Sequence, residues 1–438
     1  MSGANARAAR HFGSPAGLNA AQGGTVGAVI SVHEALDAVR TAVPRLGSEQ
    51  VVLPAAHRRV LAESVAATRD VPPFRNSAMD GYAVRTVDTR QAGPSAPVAL
   101  RILETIAAGS MPQQAVVSGT AAKIMTGSPV PDGADAVVRL EDTEGHDGVV
   151  HVRVAVAPGA NVREAGEDLR TGETALGAGR LLRPADIGLL ASLGIAVVHV
   201  ARRPRVAIVA TGDELVDLGE PLGPGQIVNS NAYTLAAAVE EVGAIPVILG
   251  IVRDQPDRIR AAFTEAFTAD VVLSTGGVSV GSFDFVRRTL AELGYQERFW
   301  KVAQKPGKPL TFGLRDRTPV FGLPGNPVSS LVCFYLYVAP ALRAMMGTDR
   351  IYPPTVAART DEPVKTSAGF TEFVRCIVES RDSGYRVRPT GSQSSGVLRS
   401  LSIGDGLLIA PPGQASIAAG TPVRVILLGS DSTGDPPF

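Results

Sequence analysis

Between residues 205 and 346, short apolar runs alternate with segments whose apolar residues recur every three or four positions. The runs VAIVA, IPVILG, VVLSTGG, PLTFG and VFGLPG are typical of buried strands. The intervening segments AYTLAAAVEEVG, PDRIRAAFTEAF and DFVRRTLAELG, and the closing segment NPVSSLVCFYLYVAPALRAMM, are typical of helices. This alternation predicts a doubly wound, mostly parallel sheet with helices on both faces.

The segments on either side of this region carry a different pattern. From residue 71 to about 170, short β-like runs such as VALRIL and GVVHVRVAV are separated by Gly, Pro and Asp, which predicts a mostly β insertion. After Pro353, the alternating stretches GYRVRP and TPVRVILL predict a small terminal β domain. Helices are expected after Ser31, where SVHE offers a capping box, and over PADIGLLASLG at 184–194.

Composition narrows the range of partners. The 42 basic and 42 acidic residues cancel, so neither nucleic acid nor a membrane surface is expected as a partner. Cys333 and Cys376 have no CxxC or CxxH spacing, which argues against a zinc site and fits a reducing cytoplasm. The composition of residues 1–28, rich in Ala, Gly and Ser, predicts a disordered tail. The apolar run at 331–342 is shorter than the roughly 20 residues that span a bilayer, and it predicts a buried helix.

The stretch VVLSTGGVSVGSFDF, residues 271–285, ends a predicted strand in glycines, hydroxyls and a carboxylate. Ligands of open α/β sheets bind beyond the carboxyl ends of the strands, where backbone N–H groups and helix N-termini converge. Candidate ligand-binding residues in this corner are Ser274, Thr275, Gly276, Gly277, Ser279 and Asp284. A second interpretation stays open, in which Asp284 only caps the next helix and the glycines only turn the chain.

Two further strand ends add carboxylates. Glu214 follows the strand VAIVA, and Asp254 follows IPVILGIV. Together with Asp284 they would either repel one another or share a divalent cation, and Mg²⁺ bridging a phosphate is the favoured interpretation. Helix capping by Asp254 and simple solvation of Glu214 remain alternatives.

Three lysines, Lys301, Lys305 and Lys308, cluster in KVAQKPGKPL together with Pro309. Lysines are usually solvated, but beside a pocket of carboxylates and glycines they become counter-charges for an anionic ligand. The following GLPGNPVSS supplies another glycine corner, with Ser329 in the helix that it opens.

The chain also carries several longer motifs in a fixed order: PPFRNSAMDGYAV, IMTGSPVPDGAD, VREAGEDLRTGE, ATGDEL, NSNAYTL, STGGVSVGSFDF, KPGKPLTFG and GLPGNPVSS. This series resembles the MoeA family of molybdopterin molybdenumtransferases, which includes the gephyrin E domain, from about residue 29 to residue 430. One departure is Asn229, where many members of the family have an acidic residue, so the cation ligand set is left open.

The resemblance implies a homodimer of four subdomains that converts adenylylated molybdopterin and molybdate into molybdenum cofactor, with Mg²⁺ as cofactor and release of AMP. The implied domains are a linking and dimerisation domain (29–70 and 171–203), the β insertion (71–170), a molybdopterin-binding α/β domain (204–350) and a C-terminal barrel-like β domain (351–434). Molybdopterin adenylyltransferase and molybdoenzyme maturation factors are implied as further partners.

The resemblance also assigns roles to residues. Asp284, Asp254 and Glu214 become the acidic, metal-binding side of the site. Asp80 and Thr126 become catalytic residues on insertion loops that reach the partner subunit's pocket. The candidates for binding molybdate and phosphate are Lys301, Lys305, Lys308, Ser329, Arg375 and Ser395.

Two other functions compete with this one. The adenylyltransferase of the same pathway resembles residues 205–347 but leaves the insertion and the terminal domain unexplained. A scaffold of the gephyrin type is expected to carry a long linker and a fused second domain, and neither is seen here. Tungstate is nearly the same size and charge as molybdate, and the sequence does not discriminate between them.

Overall fold

A computed structural model describes residues 29–276, 283–382 and 384–428, so the predicted tail lies outside the described residues. The described chain opens with the helix expected after Ser31, which spans Val32–Ala42. Its capping box is present: the Ser31 hydroxyl accepts a hydrogen bond from the Glu34 N–H, and the Glu34 carboxylate accepts one from the Ser31 N–H. This helix prediction is confirmed.

The central region forms the predicted mostly parallel sheet. Across the sheet its strands follow the order Ile245–Val252, Arg205–Thr211, Val271–Thr275, Thr318–Leu323, Thr311–Arg315 and Tyr295–Trp300. The first four strands and the edge strand Tyr295–Trp300 run in one direction, and Thr311–Arg315 runs antiparallel between its two neighbours. A two-residue turn joins Thr311–Arg315 to Thr318–Leu323, and so short a connection permits only antiparallel neighbours. The edge strand Tyr295–Trp300 was not predicted, because YQERFW lacks an apolar run.

Helices cover both faces of this sheet. They are Ser230–Glu241, Pro256–Ala266, Phe283–Glu292 and a long helix, Pro327–Met345, whose middle turn over Phe334–Val338 is a π-helix. Alternate residues of one strand enter two separate cores: Val206 and Ile208 pack on one face, and Ala207 and Val209 on the other.

The long helix contains the apolar run at 331–342 and extends beyond both of its ends. By length and composition its 19 residues could cross a membrane, but 78% of its most apolar stretch is buried inside the protein. The helix predicted over NPVSSLVCFYLYVAPALRAMM, residues 326–346, is confirmed, and so is its burial. This helix forms the centre of the largest hydrophobic core.

The insertion is built almost entirely of strands. Its six-stranded sheet follows the order Ala136–Arg139, Gly81–Val84, Thr120–Ile124, Val98–Ile106, Val149–Val152 and Thr143–His146. A short pair, Asn76–Ser77 with Val162–Arg163, lies beside it. The helical turns described in this part of the chain, Thr86–Thr89 and Leu140–Asp142, are each no longer than four residues.

The segments before and after the insertion pair with each other. Ser48–Val52 is antiparallel to Val197–Ala201, and Val65–Ala66 is antiparallel to Thr174–Leu176. The predicted helix Pro184–Ser192 packs with the short 3₁₀ turn Leu53–Ala55 over a shared core that includes Leu61, Leu182 and Leu190. The segments before and after the insertion therefore form one packed unit, and the insertion lies between them in sequence.

The terminal region forms a closed sheet, which confirms the predicted barrel-like domain. Its strands follow the order Thr371–Arg381, Gly384–Pro389, Thr355–Thr360, Pro422–Leu427 and Gly406–Ala410, and the last pairs back to the first. Gln304–Lys305, from the lysine segment of the α/β region, adds a parallel strand to Thr371–Glu372. The smaller elements are the pair Val364–Lys365 and Ser416–Ile417 and the helix Arg399–Ser402.

Candidate active site

A cleft of about 830 Å³ opens at the carboxyl ends of the parallel strands, where the sequence predicted a ligand. It is large enough for a cofactor-sized molecule. Its lining residues come from strand ends, helix starts and one loop of the terminal domain: Thr211, Glu214, Leu215, Ile227, Val228, Asn229, Ser230, Asn231, Thr275, Gly276, Trp300, Lys301, Pro309, Pro324, Gly325, Asn326, Pro327 and Gly396.

Two strand corners meet at the bottom of the cleft. Gly276 has a φ of +86°, and a Cβ built on it would lie 2.3 Å from the carbonyl oxygen of Thr211. Only glycine fits this conformation and this spacing. Thr211 lines the cleft, and its buried hydroxyl makes no hydrogen bond within the described chain.

Asn231 joins these corners to a third. Its Nδ2 donates to the Thr275 hydroxyl at 2.8 Å and to the Gly325 carbonyl at 2.8 Å. Asn231 lies in the first turn of helix Ser230–Glu241, whose N-cap Asn229 accepts from the Ala232 N–H. The sequence analysis did not select Asn231, although the motif NSNAYTL contained it and a polar residue in the first turn of a helix at a strand end is a signal for this role.

Two helices begin at the cleft wall, at Ser230 and at Pro327. The helix dipole is positive at both of these N-termini, which favours anions. Some of the first N–H groups are already used, because Asn229 accepts from the Ala232 N–H and the Val328 N–H donates to the Ser395 carbonyl. Asn326, which precedes the second helix, donates through Nδ2 to the Ser395 hydroxyl at 3.0 Å. The predicted residue Ser395 thus borders the cleft on a loop from the terminal domain.

Glu214 lines the acidic side of the cleft, and Asp213 and Asp254 lie beside it. Burial raises the pKa of Asp254, and the nearby carboxylates of Asp213 and Glu214 raise it further. Asp254 Oδ1 is buried without a hydrogen-bond partner in the described chain, while Asp213 and Glu214 are exposed. Of the predicted set, Glu214 lines the cleft and Asp254 lies beside it, so the structure brings these two together.

The third predicted ligand cannot be placed with them. Asp284 lies in helix Phe283–Glu292, but its side chain lies outside the described residues, as do Gly277 and Ser279. Within the described part of the chain, no three His, Cys, Asp or Glu residues converge on one metal position. A metal here would need ligands beyond the described carboxylates.

The hydroxyls predicted at the first corner divide between two faces of the sheet. Thr275 lines the cleft, but Ser274, one residue earlier on the same strand, faces a small internal cavity that Tyr295 and Glu297 also line. Successive side chains of a strand point to opposite faces, so only one of two neighbouring residues reaches the ligand side. The expectation that Ser274 contacts the ligand is corrected accordingly.

The three lysines of the segment KVAQKPGKPL lie in two places, the cleft and the junction with the terminal domain. Lys301 and Pro309 line the cleft, and Lys301 Nζ lies 4.0 Å from the centroid of the Trp300 ring. Lys305 contacts Ser367 Oγ at 3.1 Å and Glu372 Oε1 at 3.6 Å in the terminal domain. Lys308 lies over Phe370, 5.4 Å from its ring centroid. Lys305 and Lys308 therefore lie at the junction with the terminal domain, beside the cleft lining.

Arg375 has a different role from the predicted one. Its side chain is almost fully buried and donates to the Ser400 hydroxyl and to the carbonyls of Ser392 and Ser394. Burial lowers its pKa to about 10. These contacts fix the loop that carries Ser395, so Arg375 positions the cleft wall from behind. Ser329 is also buried and does not line the cleft.

Asp80 and Thr126 lie together on the insertion. Asp80 Oδ1 accepts from the Thr126 N–H at 2.6 Å and from its hydroxyl at 2.7 Å. These two hydrogen bonds, the backbone one first, lower the pKa of Asp80. Both residues are exposed, and neither lines the cleft of its own chain.

Comparisons with known proteins cover nearly the whole described chain. Residues 30–194 match the MoeA N-terminal region (domain I and II), residues 207–344 a probable molybdopterin binding domain, and residues 357–428 the MoeA C-terminal region (domain IV).

Individual relatives extend the same match. The molybdopterin molybdenumtransferase of Nostoc sp. is 39% identical over 408 residues, 91% of this chain and 94% of that protein. Molybdopterin molybdenumtransferase 2 of Mycobacterium tuberculosis is 39% identical over 381 residues, 86% and 94% of the two chains. The crystal structure of the molybdopterin biosynthesis moeA protein of Pyrococcus horikoshii is similar with a TM-score of 0.80 at 32% identity, over 91% of this chain and 100% of that one.

Proposed function

Because this chain belongs to the MoeA family of molybdopterin molybdenumtransferases, we propose that its cleft is where adenylylated molybdopterin meets molybdate. The chain is a transferase of molybdenum cofactor biosynthesis, with molybdopterin and molybdate as substrates. The similarity runs through the insertion and the terminal domain as well as the α/β region. That extent disfavours the adenylyltransferase, and relatives that are named as transferases disfavour a scaffold.

The observation that carries the proposal is the convergence of three strand ends and two helix starts on one cleft. Asn231 links the ends of Val271–Thr275 and Thr318–Leu323, and the Thr211 hydroxyl, which has no hydrogen bond within the described residues, lies at the third end. Hydroxyls and free backbone N–H groups are the donors that bind phosphate and molybdate oxygens. Lys301 adds a positive charge at the cleft wall.

Mg²⁺ fits the acidic side of the cleft. The Oδ1 of Asp254 is buried, has no hydrogen-bond partner among the described residues and lies near two like charges, so a cation would stabilise it. Mg²⁺ commonly binds through one or two carboxylates, several waters and substrate phosphates, so a cage of three protein carboxylates is not needed. We assign Asp254 and Glu214 to the ion from their position and Asp284 from its motif. When bound, Mg²⁺ would neutralise the phosphate charge as AMP leaves.

We further propose a homodimer in which Asp80 and Thr126 complete the partner's cleft. The supporting observation is that this hydrogen-bonded pair is polar, exposed and outside the cleft of its own chain. The adenylyltransferase that supplies the substrate and the maturation factors that accept the product are the proposed transient partners. A cytoplasmic location is supported by the two free, buried thiols, Cys333 and Cys376.

The test is AMP release by the purified chain from adenylylated molybdopterin, Mg²⁺ and molybdate. We expect release that depends on molybdate and on Mg²⁺, and molybdenum cofactor as the second product. The test variant is Asp284→Asn, which keeps the size and polarity of the side chain but loses its charge. It should fold and release little AMP. Release that is independent of molybdate would contradict metal insertion, and wild-type release by Asp284→Asn would remove Asp284 from the site.

A further inference from the structure

A second cavity, of about 440 Å³, lies where the linking region meets the α/β region, and its walls are rich in arginine. Arg180 and Arg183 come from the segment after the insertion, and Arg343 and Arg350 from the end of the long helix and the loop beyond it. Among the described lining residues, Asp349 is the one carboxylate. Asp186, outside the lining, lies 2.8 Å from Arg180 and 3.9 Å from Arg183, so the positive potential of the cavity comes mainly from Arg343 and Arg350.

Two of these arginines lack a complete set of partners. The Nε of Arg180 is buried and makes no hydrogen bond in the described chain, although its Nη2 donates to Asp186 at 2.8 Å. Arg343 is partly buried, and its Nη1 donates only to the Ile351 carbonyl at 3.2 Å among the contacts of the described chain. Burial lowers the pKa of Arg343, and the nearby Glu241 carboxylate offsets part of that shift. Unpaired donors and charges withdrawn from water are costly, and an anion would satisfy them.

The floor of the cavity is apolar. Val60, Leu181, Val242 and Met346 line it, and Leu181 is 49% exposed. An apolar floor beneath a cationic rim suits a ligand that joins a phosphate to a flat ring, and the volume falls in the range of small-molecule sites. Arginine binds phosphate through two parallel hydrogen bonds, which lysine does not do.

We propose that this cavity is a second binding site, for a phosphate-bearing small molecule of nucleotide size, distinct from the cleft. Arg343 and Arg350 bind the phosphate, and the apolar floor contacts the ring. Because the cavity is bounded by both the linking region and the α/β region, an occupant would hold the two together and stabilise the fold.

The experiment titrates the intact chain with AMP and with inorganic phosphate by calorimetry. Three proteins are compared: wild type, Arg343→Gln with Arg350→Gln, and the control Arg258→Gln, an exposed residue of helix Pro256–Ala266. The cleft itself is expected to bind AMP, and that binding is common to all three. We expect wild type and Arg258→Gln to bind a second AMP per chain and the double variant to bind it at least about tenfold more weakly.

The titration with inorganic phosphate shows whether the cavity binds a nucleotide or the free phosphate ion. If the cavity takes a nucleotide, AMP should bind it more tightly than phosphate does, whereas equal affinities would show that it takes the inorganic ion and would overturn the nucleotide assignment. Identical stoichiometry and affinity in the three proteins would overturn the site itself. If Arg343→Gln fails to fold, Arg183→Gln with Arg350→Gln replaces it, since both are exposed. AMP release at low anion concentration should stay at the wild-type rate in these variants, so the cleft chemistry and this site are tested separately.

Discussion

At the residue scale, the charged carboxylate of Asp254 destabilises the fold, and a bound cation would remove that destabilisation. Its pKa is raised because burial and two neighbouring carboxylates disfavour its charged form. A carboxylate with a raised pKa in the folded state destabilises the fold once the pH exceeds its ordinary value of 3.8. The loss grows until the pH passes the raised pKa and is fully present at neutral pH. A bound divalent cation reverses the balance.

Asp254→Asn is therefore expected to raise the melting temperature at neutral pH without Mg²⁺. The gain in the free energy of unfolding should be at most about 1 kcal/mol, because the site is partly exposed to solvent. With Mg²⁺ present, wild type should gain stability and the variant should gain less. Thermal unfolding at pH 7 with and without Mg²⁺ measures both effects, and the stabilisation by asparagine should vanish near pH 4. Equal Mg²⁺ stabilisation of the two proteins would remove Asp254 from the ion.

Lys305 tests whether the junction with the terminal domain binds anions. Its side chain is 56% exposed, and its 3.6 Å contact with Glu372 is longer than a charge-assisted hydrogen bond, while the buried Glu372 carboxylate also accepts from the Ser367 N–H. Lys305→Ala should leave the melting temperature nearly unchanged and raise the molybdate KM on the order of tenfold. Lys365→Ala, an exposed lysine of the same junction region, is the matched control. An unchanged KM would make Lys305 a structural contact with the terminal domain.

At the scale of elements, the sequence pattern within a segment predicted the features that depend on that segment alone. The capping box at Ser31 and the four parallel strands follow from spacing within each segment, and the structure contains them. Which of Ser274 and Thr275 faces the ligand depends on the register of the strand against its neighbours, which a single segment does not reveal. The role of Asn231 depends on contacts between three elements. The motif shows that an asparagine is present, but it does not show which groups the asparagine contacts.

The glycine corner gives an element-scale prediction with an internal control. Gly276 and Gly250 both have φ above +80°, so alanine at either position costs about 1–2 kcal/mol of backbone strain. A Cβ at Gly250 meets nothing within 4 Å, whereas one at Gly276 meets the Thr211 carbonyl at 2.3 Å. Gly276→Ala should therefore lower stability more and abolish AMP release, while Gly250→Ala should keep it. Unfolding and AMP release, measured on both variants, check this, and similar activity in the two would mean that the corners do not need their close approach.

At the scale of the whole molecule, the cleft is assembled from parts that are far apart in sequence. Gly396 from the terminal domain lines it, Ser395 contacts Asn326 beside it, and Arg375 holds that loop from within the barrel. Sequence patterns predicted the separate domains but not these contacts, because packing between domains leaves no periodic signal. Arg375 resembled an anion ligand for this reason: a buried arginine and a ligand-binding arginine look alike in sequence.

The exposed pair of Asp80 and Thr126 leads to the prediction that active sites are shared between subunits. Asp80→Ala and Asp284→Ala chains should each be nearly inactive alone. If subunits exchange freely, about half of the dimers are mixed, and each has one intact and one doubly defective site, so about a quarter of wild-type AMP release should return. The mixture must be shown to contain mixed dimers, for example by differential tagging and sequential affinity purification. If each chain used its own Asp80, every site in a mixed dimer would lack one carboxylate and activity would not recover, so the purified mixed dimer decides whether the insertion serves its own cleft or its partner's.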